Sequence, residues 1–222
     1  MTPEQLAPLV RATVLDLRIP SPTLATSYLV DTNVLYFCYY QRHVQHEALG
    51  RGPLRYQTTL YPNYEKRVRE AGGRLGVSRS ILVEFLHRIE GAELTILHAV
   101  LDPNAIGGPR GLPRKEIRER GYLAHRLEPV REQVKIHLDV IQRHFHLLSD
   151  PPWTIPFVGC LYEEWSRGLI DATDAALVSE AKAAGIPHII SDDAEFCAVP
   201  DIRLYTANHT AINAARQAGR LG

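Results

Sequence analysis

A chain of 222 residues, 45% of them apolar, can bury one good core, and it is expected to form one domain with elaborations rather than two. Its 25 basic and 25 acidic side chains cancel to a formal net charge of zero, which excludes a global electrostatic pull towards nucleic acid and leaves only local asymmetry. The three cysteines, Cys38, Cys160 and Cys197, have an odd count and no ligand spacing, so reduced structural thiols are favoured over a disulfide framework.

The sequence opens without a secretory h-region. No apolar run approaches the ~20 residues that span a bilayer, so a soluble, cytoplasmic protein with no membrane partner is expected. Thr2-Pro3-Glu4-Gln5 has the form of a capping box, and Leu6, Leu9, Val10, Val14 and Leu17 recur at helical spacing. The spacing predicts an amphipathic helix over 3–18, an N-terminal helical extension within 1–25 that ends at Pro20 and Pro22. Tyr28-Leu29-Val30 then reads as a strand buried on both faces. It is tipped by Asp31, with Thr32-Asn33 available to cap a helix from about Val34. At the carboxyl end of a parallel strand Asp31 is either a helix cap or a site acid.

Val34 to Tyr40 is aromatic, and tyrosines continue at 56, 61 and 64. Tyr39, Tyr40, Tyr56 and Tyr61, with Arg42, Arg51 and Arg55, form either a path on which unpaired RNA bases stack or ordinary half-buried helix packing. A helix ending near Ala71 is stopped by Gly72-Gly73, and Arg74 to Val77 is predicted as a strand. Ser78 or Ser80 caps the apolar helix that follows, in which Glu84 is a lone acid needing a cation or metal if it is buried.

Gly107 to Gly111 is a loop without the Gly-Lys-Ser/Thr of a phosphate cradle. Leu127, Val130, Val134, Leu138, Ile141, Phe145 and Leu148 predict a helix from about Pro129 with an apolar seam. The basic residues between 110 and 143 mark either a phosphate-facing or a solvated surface. Glu163 and Glu164 read as surface charges on a helix that could supplement a metal site. Asp171 and Asp174 share one face of a helix start, and Gly185 ends that helix. Ile186 to Ser191 is a strand followed by Asp192 and Asp193. Ile202 to Tyr205 is a last strand, and Ala211 to Ala218 a short terminal helix.

Four of these pieces, in this order and spacing, resemble the PIN-domain nucleases, a family that includes the VapC-type toxins. They are Val30-Asp31-Thr32-Asn33-Val34-Leu35, Ser78 to Phe85, Asp174 to Leu177, and Ile190 to Phe196. The resemblance covers about 26–206, apart from a helical insertion at about 91–165, with 207–222 as a tail. It implies an α/β fold with a mainly parallel central sheet flanked by helices. It also implies an acidic quartet, Asp31, Glu84, Asp174 and Asp193, as catalytic and metal-binding residues; the register against Phe196 selects Asp193 over Asp192.

Asn33, Asp171, Ser191 and Asp192 are the expected supporting residues around that quartet. Clustered carboxylates repel one another and call for a cation, and an oxygen-only set favours Mg²⁺ or Mn²⁺. The resemblance further implies hydrolysis of RNA, an antitoxin partner where the protein is a toxin, and a homodimer. A catalytically silent RNA-binding or protein-interaction module and a structure-specific DNA nuclease stand as alternatives.

Overall fold

The computed structural model describes residues 1–19, 24–40, 42, 56–101, 127–149, 154–166 and 169–222, with the side chains of 98–101 left aside. The elements in chain order are α1 (Pro3–Leu6), a 3₁₀ turn (Ala7–Leu9), β1 (Thr13–Asp16), β2 (Ser27–Val30), α2 (Thr32–Tyr39), α3 (Gln57–Glu70), β3 (Arg74–Val77) and α4 (Arg79–Leu101). There follow α5 (Glu128–His144), β4 (His146–Leu147), α6 (Ile155–Ser166), α7 (Ala172–Ala183), β5 (His188–Ile190), a 3₁₀ turn (Ala194–Ala198), β6 (Arg203–Thr206) and α8 (His209–Gln217). The strands form one parallel sheet in the order β1-β6-β5-β2-β3-β4, so the α/β class expected from the sequence is the class observed.

Burial on both faces explains the composition of the central strands. Tyr28, Leu29, Val30, Ile189, Ile190, Leu204 and Tyr205 are all buried, as strands covered by helices on either side require. From β2 the chain first adds strands on one side, at β3 and β4, and later on the other, at β5 and β6. The gap between β2 and β5 is therefore a topological switch point, the place where a crevice opens at the strand ends of such sheets. Gly76 serves close packing here, because a Cβ would lie 3.1 Å from the Tyr28 carbonyl and 3.2 Å from Leu148 Cδ2.

The N-terminal segment departs from its predicted helix. The capping box forms, with Gln5 N–H on Thr2 Oγ1 and Thr2 N–H on Gln5 Oε1, but the helix stops at Leu6 and the 3₁₀ turn at Leu9. Pro8 has no N–H to continue it. The N–H groups of Arg11 and Ala12 both go to the Cys197 carbonyl and that of Thr13 to Ile202, and β1 joins the sheet edge beside β6. The C-terminal segment adds to the same edge: Val14 bonds Arg220 and Gly222, and α8 buries Ala211, Ile212, Ala214 and Ala215. Buried side chains between Leu6 and Leu17 and between Ala207 and Ala215 thus belong to the same hydrophobic core as the central strands.

The insertion expected to start at about residue 91 has no break there, since α4 continues to Leu101. The seam helix ends at His144, and Phe145 turns extended into β4, a strand that helical periodicity concealed. The basic stretch between 110 and 126 lies outside the described residues. Among the described residues no helix is long and apolar enough to cross a membrane.

Candidate active site

The switch point collects acids from four separate segments. Asp31 leaves β2 and is buried at 4% exposure; its N–H bonds the Ile190 carbonyl of β5, which fixes it between the two strands. It occupies the N-cap position of α2, which starts at Thr32 rather than near Val34, yet its side chain caps nothing. Instead Asp31 Oδ2 accepts from Ser191 Oγ at 2.6 Å. Glu84, half-buried on the second turn of α4, accepts from Thr32 Oγ1 at 2.9 Å, so a residue expected only to cap α2 holds a site acid.

Asp174 sits half-buried in the first turn of α7, and among the described residues no donor bonds its carboxylate. Asp193 donates its N–H to Ser191 Oγ at 2.9 Å, while its Oδ1 caps the following 3₁₀ turn through Glu195 N–H at 2.8 Å. One serine hydroxyl thus ties the first acid to the fourth.

The four acids lie near enough to act on one another electrostatically. The Asp31 carboxyl is pushed up to about 7, first by burial and then by repulsion from Glu84 and Asp193, against the opposing bond from Ser191. Asp174 is pushed up to about 8, again first by burial, then by Asp31, Asp171, Asp193 and Glu84. Glu195, which the sequence did not single out, is also raised, by burial and then by Asp193 and Asp171, so a fifth acid borders the site. Its signal in the sequence was only its place two residues after Asp193.

An oxygen-only donor set of this kind suits a hard divalent ion in its chemistry. In its geometry it does not yet form one: among the described residues, no three His, Cys, Asp or Glu side chains stand in an arrangement that holds a metal. One oxygen each of Asp31, Glu84 and Asp193 is committed to Ser191, Thr32 and the Glu195 N–H. The other oxygen of each, and both of Asp174, are the donors left for an ion.

The supporting residues divide. Ser191 orients two quartet members as expected. Among the described residues Asn33 hydrogen-bonds no carboxylate; its Oδ1 accepts the Asp192 N–H at 3.3 Å and so holds the main chain before Asp193. Asp171 spends its Oδ1 on the N–H groups of Thr173 and Asp174, making it the cap of α7. Asp192 turns away from the quartet. Its buried carboxylate accepts from Tyr61 at 2.6 Å, from Tyr56 and from Gln57, while Asn208 Nδ2 bonds its carbonyl at 2.6 Å. Three elements, α2, α3 and the start of α8, are thereby clamped onto the residue preceding Asp193. Asp192→Ala is expected to cost about 2–3 kcal/mol by stranding buried donors, read as a lower urea midpoint; an unchanged midpoint would remove the clamp.

Of the residues predicted as possible RNA contacts, Tyr39, Tyr40 and Arg42 make packing and pairing contacts within the chain. Tyr40 is buried, stacked on Tyr36, and donates to Glu93 at 2.8 Å; Arg42 pairs with the same buried glutamate. Tyr39 donates to Glu65, accepts from Arg69, and packs against His144 and Phe145. Buried acids from distant helices, invisible in the aromatic run itself, recruit both tyrosines inward. Arg51 and Arg55 lie outside the described residues. Glu164, read as a surface charge, is 3% exposed and paired with Lys182 at 2.7 Å, which binds α6 to α7, while Glu163 is exposed.

No protein-family model and no curated protein matches the chain. Among solved structures, VapBC2 from Rickettsia felis bound to a DNA fragment from their promoter is similar over 80% of this chain and 96% of that chain, with 13% identity and a TM-score of 0.45.

Proposed function

We propose that this protein is a divalent-metal-dependent ribonuclease whose acidic quartet, Asp31, Glu84, Asp174 and Asp193, holds Mg²⁺ or Mn²⁺ and hydrolyses RNA phosphodiester bonds. The observation that carries it is the grouping of acids drawn from β2, α4, α7 and the exit of β5, where burial first and then mutual repulsion push two carboxyls up to about 7 and about 8. A divalent cation would relieve that repulsion, and perturbed groups of this kind cluster at functional sites.

A bound ion supplies an activated water and neutralises charge on the phosphate. The chain's own residues set the donors. Ser191 engages Oδ2 of Asp31, which leaves Oδ1 as the oxygen that would serve an ion. Thr32 fixes Glu84 in the same way, and Asp171 anchors the turn that carries Asp174.

The motif resemblance extends the proposal to a toxin of a toxin–antitoxin pair, with a cognate antitoxin and a second copy of the chain as protein partners. A catalytically silent module has one observation in its favour, the hydrogen bonds that already engage three of the four carboxylates. Incubating the purified protein with labelled RNA in Mn²⁺, in Mg²⁺ and in EDTA separates the two. Cleavage in either metal that EDTA abolishes is the expected result; no cleavage, with no Mn²⁺ binding by calorimetry, selects the silent module.

A further inference from the structure

At the edge of the quartet, α2 and α4 are joined by two rungs one helical turn apart. On the first, Thr32 Oγ1 donates to Glu84 Oε2 at 2.9 Å. On the second, four residues further along each helix, the Arg88 guanidinium carbon lies 4.9 Å from the centre of the Tyr36 ring. Tyr36 is 3% exposed and stacked on Tyr40 at 4.8 Å, so its plane is fixed, whereas Arg88 is exposed. Helix side chains lean towards their own N-terminus, and Arg88 therefore leans along α4 towards the turn that carries Glu84.

We infer that Arg88 is a substrate-binding residue of the proposed nuclease and holds the phosphate next to the one being cut. The inference deepens that reading and rests on it. Among the described residues Arg88 forms no ion pair. Of the acids along the same helix, Glu84 accepts from Thr32, and the buried Glu93 is taken by Arg42 and Tyr40. Contact with a ring face consumes no oxygen acceptor, so the planar fork of N–H donors is left for an oxyanion, on a side chain that Tyr36 steadies. Arg88 is not among the charges that chiefly act on Asp31 or Asp174, which sets it apart from the metal-binding oxygens, at the rim of the site. One turn of helix, about 5.4 Å, separates it from Glu84 along the axis, the order of one nucleotide step along a strand. A strand whose scissile phosphate sits over the quartet thus brings its next phosphate to the guanidinium. The competing role for Arg88 is an ordinary helix pair with Glu84, which would act equally on every substrate.

Two substrates separate these roles. A labelled, unstructured 12-nucleotide RNA has phosphates on either side of the cut, whereas bis(4-nitrophenyl) phosphate has a single phosphodiester and no neighbour. In Mn²⁺, Arg88→Gln is expected to raise KM for the RNA about tenfold with kcat nearly unchanged, the scale of a lost charge-assisted bidentate bond. The dependence of log kcat/KM on log salt should flatten by about 0.7, one single-strand phosphate contact. Turnover of bis(4-nitrophenyl) phosphate should equal that of the wild type. Arg88→Lys keeps the charge but not the fork, so it should keep the salt slope and raise KM about threefold. The position is exposed, and both variants should unfold at the wild-type midpoint.

Unchanged KM and salt slope in Arg88→Gln would overturn the inference. So would an equal loss on both substrates, which would make Arg88 a support for Glu84 rather than a contact to the strand. In either case cleavage by the wild type leaves the nuclease standing. A wild type that cleaves neither substrate removes both proposals; if it cleaves the RNA alone, the salt slope decides.

Discussion

Asp31→Asn and Asp174→Asn should each lower kcat for metal-dependent RNA cleavage by about 10³-fold or more, the scale of losing a group that sets up the nucleophile or its ion. Neither substitution should unfold the protein. An asparagine at 31 keeps the shape and an oxygen for the Ser191 hydroxyl, and at 174 no hydrogen bond from a described residue is lost. Each substitution removes a charge that burial and neighbours disfavour, so in EDTA at pH 8 both variants should melt at or above the wild-type temperature. Loss of cleavage together with unchanged or raised Tm identifies site residues. Cleavage at the wild-type rate by either variant would exclude that acid from the machinery, and a large fall in Tm would make its role structural.

The second large effect is a fall in stability with rising pH when divalent ions are withheld. Asp31 has its carboxyl at about 7 in the folded chain against an ordinary value of 3.8, and Asp174 at about 8 against the same 3.8. Between those limits the native state holds protons that the unfolded state has released, so stability declines as pH rises. The contribution is fully present below about pH 4 and lost by about pH 7 to 8. For Asp31, which is buried, the loss is on the order of a few kcal/mol; the two acids repel each other and titrate as a unit, so their losses do not add. In EDTA, Tm should drop between pH 5 and pH 8, Asp31→Asn should flatten the curve, and millimolar Mn²⁺ at pH 8 should restore the wild type by mass action. A flat wild-type curve, or one that Asp31→Asn leaves unaltered, would contradict the convergence of the acids.

What the sequence disclosed and what it hid follow the range of the forces involved. Asp31, Glu84, Asp174 and Asp193 were legible because each interrupts or terminates a local apolar run, and the alternation of strand and helix is local as well. Asp192 was not assignable in the same way. Consecutive residues leaving a strand face opposite sides, and which side meets the quartet depends on Tyr56, Gln57 and Tyr61 of a helix far back in the chain. The predicted helix over 3–18 failed for a related reason. Val10, Val14 and Leu17 are spaced for a helix, but Pro8 interrupts it and β6 offers the following N–H groups a ladder. Tyr39 and Tyr40 beside Arg42 looked like a surface for bases until Glu65 and Glu93, from α3 and α4, claimed their hydroxyls.

The bond between Ser191 and Asp31 joins positions 160 residues apart, and the strands that carry them pair directly at Leu29 with Ile189 and Val30 with Ile190. Closing so long a loop before any contact repays it is slow, as in other parallel sheets. On a ribosome, Asp31 and Glu84 emerge well before the segment that must dock beside them. The centre is therefore completed only after the segment that carries Asp174 and Asp193 has followed, and until then the chain carries scattered acids rather than an assembled site.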